Sequence, residues 1–435
     1  MSLQMMGLIG IVVVFVFIFL NMPIGISMAL VGFIGLGIVR GMEGGLNILA
    51  IDAFRTSASY TFCVIPLFVS MGFLASQTGL SDGAFEAIHK WIGHWRGGLA
   101  MATSGACAMF AAICGGALAT ATTVAAVALP QMRKYHYDDK LSLGVLAAGG
   151  NLGFLIPPSM GFMLYAIITN QSIGILFISG VLPGILLTLL FMVTIWILCR
   201  INPELAQPSP RASWKERFVS TRLTIPSIIL IILVLGGIYA GFFTPTEAGA
   251  VGVFGVIVIG LANRRLTWQG FISALRESAK LYGMVFLLII GTMIYSRFLV
   301  VTEIPMLLSE TIAVLDVSPY VILVIALIFF ILIGFIMDIM AMLMLTVPIL
   351  HPVLVSLGFD PVWLATLTII TVLMGHITPP VGMVVFGLAG YVRDVPVYTI
   401  FRGAFPFLGS MLVCLVILIA FPQIALFLPN MMRPG

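Results

Sequence analysis

The sequence predicts an all-α polytopic membrane protein built from two inverted repeats, each with five spans, one of them broken, and a re-entrant hairpin. Three observations carry this expectation. Of 435 residues, 61% are hydrophobic and 8% charged, with a mean hydropathy of +1.20, a balance no soluble domain of this size could keep while staying dispersed. Two long apolar stretches carry the same interruption, a glycine-rich run followed by a proline pair, at Gly149 to Ser159 and at Gly375 to Gly382. Breaker residues also recur at a near-constant interval. Pro23 and Pro245 are 222 residues apart, as are Pro157-Pro158 and Pro379-Pro380, while Gly180 and Pro183 precede Gly403 and Pro406 by 223.

The first repeat is expected over residues 1–200. Spans at 6–20 and 24–39 are divided by Asn21-Met22-Pro23, and no Lys or Arg precedes Arg40. A signal peptide's basic n-region is therefore missing, and the first segment reads as a retained span. A polar link from Arg40 to Ser59 leads to a span at 60–78. Residues 80–97 mix apolar positions with Asp82, Glu86, His89, Lys90, Trp91, Trp95 and Arg96, as suits a helix lying in the interface. The stretch 99–129 is rich in Gly, Ala and Thr, which permit close backbone approach, and reads as a re-entrant hairpin. A broken span at 141–168 and another span at 174–199 complete the unit.

Residues 201–222, with Pro203, Pro208, Pro210 and several bases, read as a cytoplasmic linker. The second repeat, 223–435, places its hairpin at 319–350 and its broken span at 362–390. Its counterpart of the basic arm, 301–318, carries Glu303, Glu310 and Asp316 and no base. Five spans per half is odd, so the halves must be inverted. With both termini periplasmic, sixteen Lys and Arg fall inside, and Arg40, Arg55, Arg297 and Arg433 remain outside, as the positive-inside rule requires. At ~20 residues per span, the length allows about ten spans plus re-entrant pieces.

The proline pairs focus the chemistry. Proline lacks an N–H and clashes with the preceding turn, so each pair must interrupt a helix. Inside a bilayer the freed backbone groups are tolerable only where they are buried in protein or line a polar cavity. Matching Gly/Pro interruptions in two halves point to a transporter's binding site. Free carbonyls at such breaks suit a small hard cation, and half-helix N-termini suit a carboxylate. Asp338 is a lone carboxylate amid apolar residues at the tip of the second hairpin. Burying it unpaired would cost at least ~2.5–3.5 kcal/mol, so a cation, a base or water must offset it. Arg297 is one candidate partner, near a span end. Thr378 adds a hydroxyl at the second break; Asn151 and Ser159 offer an amide and a hydroxyl at the first, where capping of the half-helices is an equal reading. His376 reads as a hydrogen-bonded structural residue, His351 as solvent-exposed, and Glu247 as part of a helix start with Thr244 or Thr246. The five cysteines show no metal-ligand spacing and read as small buried hydrophobes.

Taken in order, several strings resemble the large membrane subunit of tripartite ATP-independent periplasmic (TRAP) transporters. They include Met22-Pro23-Ile24-Gly25, Ile65-Pro66-Leu67-Phe68, Gly97-Gly98-Leu99-Ala100, Gly153 to Ser159, Thr244-Pro245-Thr246-Glu247-Ala248, Gly334 with Asp338, and Thr378-Pro379-Pro380-Val381-Gly382. The resemblance implies Na⁺-coupled symport of an organic acid anion (a dicarboxylate, sialic acid or another carboxylate) across the bacterial inner membrane. It implies a small four-span membrane subunit, a periplasmic substrate-binding protein and an elevator movement of the hairpin-bearing core. Two Na⁺ sites carried over would use Cys114, Gly153, Ile156 and Pro158 in the first repeat. In the second they would use Gly334, Gly375, Thr378 and Val381, with Asp338 close by. Substrate contacts would fall to Asn151, Ser159 and Thr378. The first hairpin tip departs from the family's usual Ser-Gly-Ser-Ser, reading Cys114-Gly115-Gly116-Ala117, so hydroxyl ligands are missing there and the second site is the surer one. A single-component anion symporter or antiporter is the alternative within the class. An intramembrane aspartyl protease would need a second intramembrane aspartate beside Asp338, and a passive channel has no need of opposed hairpins.

Overall fold

The computed structural model describes residues 2–314, 317–380 and 382–432; Asp316, Val381 and Arg433 therefore lie outside the described residues. Every regular element among the described residues is helical. Helices α1 (Leu3–Phe19) and α2 (Ile24–Arg40) are separated at Asn21, whose φ is +63°, and Pro23. They are followed by α3 (Met42–Ala58), α4 (Val64–Thr78) and α5 (Leu80–Ile92). Next, α6 (Gly98–Cys114) and α7 (Ala117–Lys134) fold back on one another. The interrupted helix comprises α8 (Asp139–Asn151) and α9 (Met160–Thr169), and α10 (Ile173–Ile201) closes the first half.

The second half opens with α11 (Trp214–Ile231), which runs through a π-helical turn into the short α12 (Gly237–Tyr239). It continues with α13 (Pro245–Ala262), α14 (Trp268–Val301) and α15 (Ile304–Val314). The pair α16 (Pro319–Gly334) and α17 (Ile339–Ser356) precedes a second interrupted helix, α18 (Pro361–His376) and α19 (Met383–Tyr391), and then α20 (Val397–Ala420) and α21 (Gln423–Met432). Helices α2, α5, α7, α8, α9 and α10 thus begin 221 to 224 residues before α13, α15, α17, α18, α19 and α20. Among the described residues, seven helices are long and apolar enough to cross a bilayer, and six shorter ones are apolar.

Small residues set the closest crossings. A Cβ on Gly291 of α14 would lie 2.0 Å from the Gly25 carbonyl oxygen of α2, and one on Gly144 of α8 would lie 2.2 Å from that of Gly403 in α20. Without those atoms the backbones approach as apolar helices in a membrane must if dispersion is to hold them. The matching helices, α18 and α10, also approach closely, with the hydroxyls of Thr366 and Ser179 3.3 Å apart. The Asn151 side chain donates to the Leu373 carbonyl at 3.1 Å. These positions are 222 residues apart, so each is the other's repeat mate. A position that touches its own mate lies on the pseudo-twofold axis, and the two breaks meet there.

Three sequence expectations need correction. The link from Arg40 to Ser59 is helical: α3 mixes Glu43, Asn47, Asp52 and Arg55 with apolar residues, which keeps its hydropathy below that of a span, and it packs against α2. Arg297 does not approach Asp338. It forms a two-point pair with Asp52 of α3, at 2.8 and 3.1 Å, the bidentate geometry a guanidinium prefers. His351 is half-buried, and its Nδ1 shares a 2.8 Å hydrogen bond with the Tyr165 hydroxyl. Between the halves, residues 202–213 hold only a 3-10 turn (Pro203–Leu205), because Ser213 and Glu216 form a reciprocal cap that starts α11 at Trp214. The same box, Thr244 with Glu247, starts α13.

Candidate functional site

Each hairpin tip abuts one helix break. In the first, α6 ends at Cys114, and Gly115 turns the chain with φ +67°. The Gly115 carbonyl accepts from the backbone N–H of Met160 at 3.2 Å, so the tip is bonded to the first turn of α9. A Cβ on Gly115 would lie 2.4 Å from the Pro158 carbonyl oxygen. A Cβ on Gly153 would lie 2.6 Å from the Gly116 carbonyl oxygen and 2.8 Å from Thr120 Oγ1. Glycine at 115 and 153 therefore lets backbone carbonyls and one hydroxyl crowd together. Thr120 is fully buried, and its hydroxyl has no hydrogen-bond partner. An orphaned buried hydroxyl costs about 1–3 kcal/mol unless something completes it, and a cation among carbonyl oxygens would.

Sequence reading missed Thr120 because it sits one helical turn inside α7 among alanines and two other threonines, Thr122 and Thr123. The structure also redistributes the expected ligands of this site. The Cys114 carbonyl oxygen faces α4, 2.5 Å from where a Cβ on Gly72 would stand, and Ile156 packs on Gly184 of α10. Gly153 and Pro158 do face the hairpin tip. Ser159 caps α9, accepting from the Phe162 N–H at 3.3 Å and donating to the Phe154 carbonyl. Both Ser159 and Asn151 are fully buried.

The second site has the same skeleton and more chemistry. Gly334 at the end of α16 meets Gly375 of α18 backbone to backbone, a Cβ on either lying 2.8–3.0 Å from the other's Cα. The Thr378 hydroxyl donates its proton to the Met374 carbonyl at 2.6 Å, which leaves its lone pairs free for a ligand. Thr378 is half-buried, and Pro379 and Pro380 are exposed. Asp338 caps α17, its Oδ2 accepting from the Met340 N–H at 3.1 Å. Its Oδ1 lies 3.9 Å from His376 Nε2, the carboxylate side chain 30% exposed and the imidazole 7%.

The protonation pattern around His376 follows from its neighbours. The Leu373 carbonyl can only accept, so the NH₂ of Asn151 must face it. Asn151 Oδ1 then faces His376 Nδ1 at 3.2 Å, and that nitrogen must carry the hydrogen. In the neutral ring, Nε2 presents a lone pair to Asp338, and it has no hydrogen-bond partner. Two acceptors confront one another across 3.9 Å. Such an arrangement needs a proton on one of the two, or a cation or donor between or beside them. Among the described residues no three His, Cys, Asp or Glu side chains cluster as a metal site; the groups on offer are oxygens, the donor set of a hard cation.

Residues 11–424 match the family model described as tripartite ATP-independent periplasmic transporter, DctM component. The C4-dicarboxylate TRAP transporter large permease protein DctM of Pseudomonas aeruginosa is 35% identical over 90% of this chain and 93% of its own length. The sialic acid TRAP transporter large permease protein SiaM of Vibrio cholerae is 30% identical over 95% and 96%. The ectoine TRAP transporter large permease protein TeaC of Halomonas elongata is also 30% identical over 95% and 96%. Among solved structures, the Alcanivorax borkumensis YdaH transporter superposes with a TM-score of 0.63 over 89% of this chain and 90% of its own, at 14% identity, which is a likeness of fold. The chain belongs to the DctM-component family of TRAP transporters. It is a transporter's large permease subunit and not an enzyme.

Proposed function

We propose that this large permease subunit carries out Na⁺-coupled symport of an organic acid anion, with one Na⁺ held at each hairpin–break junction. The observation that carries the reading is the pair of facing acceptors, Asp338 Oδ1 and His376 Nε2, beside the free lone pairs of Thr378 and the closely apposed backbones of Gly334 and Gly375. A cation there would be held by Asp338, Thr378 and carbonyls of Gly334 and Gly375, with Val381 completing the set. At the first junction Gly153, Pro158, the Gly116 carbonyl and Thr120 would hold the other, and backbone oxygens would stand in for the missing serines.

Bound Na⁺ would neutralise Asp338 and present positive charge toward the two breaks, so the anion is met by cations and half-helix N-termini and needs no arginine clamp. Thr378 is the expected side-chain contact for substrate. The fully buried Asn151 and Ser159 would act by fixing the breaks that surround it. A periplasmic binding protein would deliver the substrate to this subunit and a small four-span partner. The two hairpins and two breaks would then move as one body in an elevator cycle, Asn151 tying the halves at their axis. The names of the relatives, which span dicarboxylate, sialic acid and ectoine, support a small carboxylate as the substrate.

The test is uptake into proteoliposomes holding this chain and its small partner, with the cognate binding protein and labelled ligand added outside. Uptake should require an inward Na⁺ gradient. Equal uptake with K⁺ in place of Na⁺ would remove the coupling assignment. Full uptake without any binding protein would instead favour a single-component carrier.

A further inference from the structure

We infer that the basic end of α10 is a binding site for the phosphate headgroup of an anionic phospholipid. A cavity of about 560 Å³ lies there, lined by Trp95, Arg96, Trp196 and Arg200. Its position follows from local geometry. Gly97, at φ +77°, packs so tightly on α10 that a Cβ would lie 2.7 Å from Cys199 Sγ and 3.1 Å from Ile195. That contact holds Trp95 and Arg96 alongside the last two turns of α10. The linker between the halves returns over the same loop, where the Ser209 N–H donates to the Gly93 carbonyl at 3.0 Å.

The lining has the chemistry of a phosphate seat. Arg200 lies 4.8 Å over the Trp196 ring, an orientation that leaves the guanidinium edge free for a bidentate phosphate contact. Among the described residues, neither Arg96 nor Arg200 has a carboxylate partner, although Arg133, Arg265, Arg297, Lys90 and Lys280 all do. The depth is right for a headgroup. Helix α10 has 29 residues, about 43 Å at 1.5 Å per residue, against a hydrocarbon core of about 30 Å. That length leaves turns to spare at headgroup level, and the Arg200 end carries Trp196, the residue type that collects there.

A free anion would need only the seat; a lipid also needs a track for its tails. One runs up α10 from Arg200 at helical spacing: Trp196, Val193, Leu189 and Ile185 are all exposed, the last three by about half. Leu189 is 11 residues from Arg200, about 17 Å, the depth of roughly one leaflet. Around Leu189 and Ile185 an apolar hollow of about 440 Å³ opens against Ile424 and Phe427 of α21. Headgroup seat, apolar track and terminal hollow are thus collinear on one helix face.

Native mass spectrometry of the detergent-purified protein tests this, with phosphatidylglycerol, phosphatidylcholine or inorganic phosphate added. Wild type should retain one phosphatidylglycerol at least tenfold more tightly than phosphatidylcholine. Arg96→Gln with Arg200→Gln should abolish that preference at unchanged Tm, both side chains being exposed, while Arg200→Lys should keep part of it. Equal retention of the two lipids, indifference to the double substitution, or displacement by millimolar inorganic phosphate would each overturn the inference. So would loss of the lipid when the small membrane subunit binds, which would assign the face to that subunit.

Discussion

The two hairpin–break junctions share a skeleton and differ in what surrounds it. At the first, the tip is bonded to α9, the proline pair is buried, and Thr120 supplies the one unpartnered hydroxyl. At the second, Pro379 and Pro380 are exposed, and Asp338, Thr378 and His376 gather around the glycine contact. Repetition supplied the backbone breaks in both halves, and substitution since then has put most of the side-chain chemistry into one. The first site is a backbone cage and the second a carboxylate site, so they should respond differently to the same kind of change.

The largest effect is expected from Asp338→Ala. Losing the only carboxylate of the second site should weaken Na⁺-driven uptake about 100-fold, equivalent to ~2.7 kcal/mol of ion binding, while the lost helix cap costs only ~1 kcal/mol and leaves the protein in the membrane. Uptake with unchanged Na⁺ dependence would refute the carboxylate role. Next, Gly153→Ala should cut uptake about tenfold, because its Cβ would stand 2.6 Å from a backbone oxygen that cannot swing away. Gly334→Ala should do about the same at the second junction. If only one of the two variants loses uptake, the junctions are not functional equivalents.

Hydroxyl removal sharpens the contrast. Thr378→Val and Thr120→Val should each raise the Na⁺ concentration for half-maximal uptake by roughly three- to tenfold, or ~0.7–1.4 kcal/mol. An unaltered titration for Thr120→Val alone would show that the first site is held by carbonyls only. The smallest effect concerns a tie with no counterpart in the other half. Arg133, at the end of the first hairpin, bridges Asp139 at 3.0 Å and Asp394, beyond the second break, at 2.9 Å. The hydrogen bond from Arg133 holds the Asp394 carboxyl below its ordinary range. Its stabilisation is therefore present above the usual aspartate value of about 3.9 and lost as pH falls through the lowered one. The bridge is exposed, so Asp394→Asn should lower Tm only slightly at pH 7. Thermal melts of the two proteins should converge as pH falls below the usual aspartate range; a gap that widens on acidification would count against the bridge.

How legible this protein was in its sequence varies with the kind of signal. Hydropathy and the 222-residue interval of prolines and glycines marked the helical membrane class, the repeat and the position of both breaks, because breakers act through the backbone and need no partner. The capping box at Thr244 was legible for the same reason: all its partners lie within four residues. Asp338 stood out by its isolation, since an unpaired carboxylate in apolar surroundings is costly wherever the chain folds. What sequence could not supply were relations across the pseudo-twofold axis. Arg297 read as a candidate partner of Asp338 and took Asp52, 245 residues away. Asn151 read as a possible substrate contact, yet its amide is spent on Leu373 and His376 of the opposite half. Thr120 carried no signal until the fold set Gly153 beside it. Local backbone rules wrote the breaks into the chain, whereas the partners of each polar atom were decided only when two inverted halves closed on one another, because a hydrogen bond depends on three-dimensional proximity that spacing along the chain does not encode.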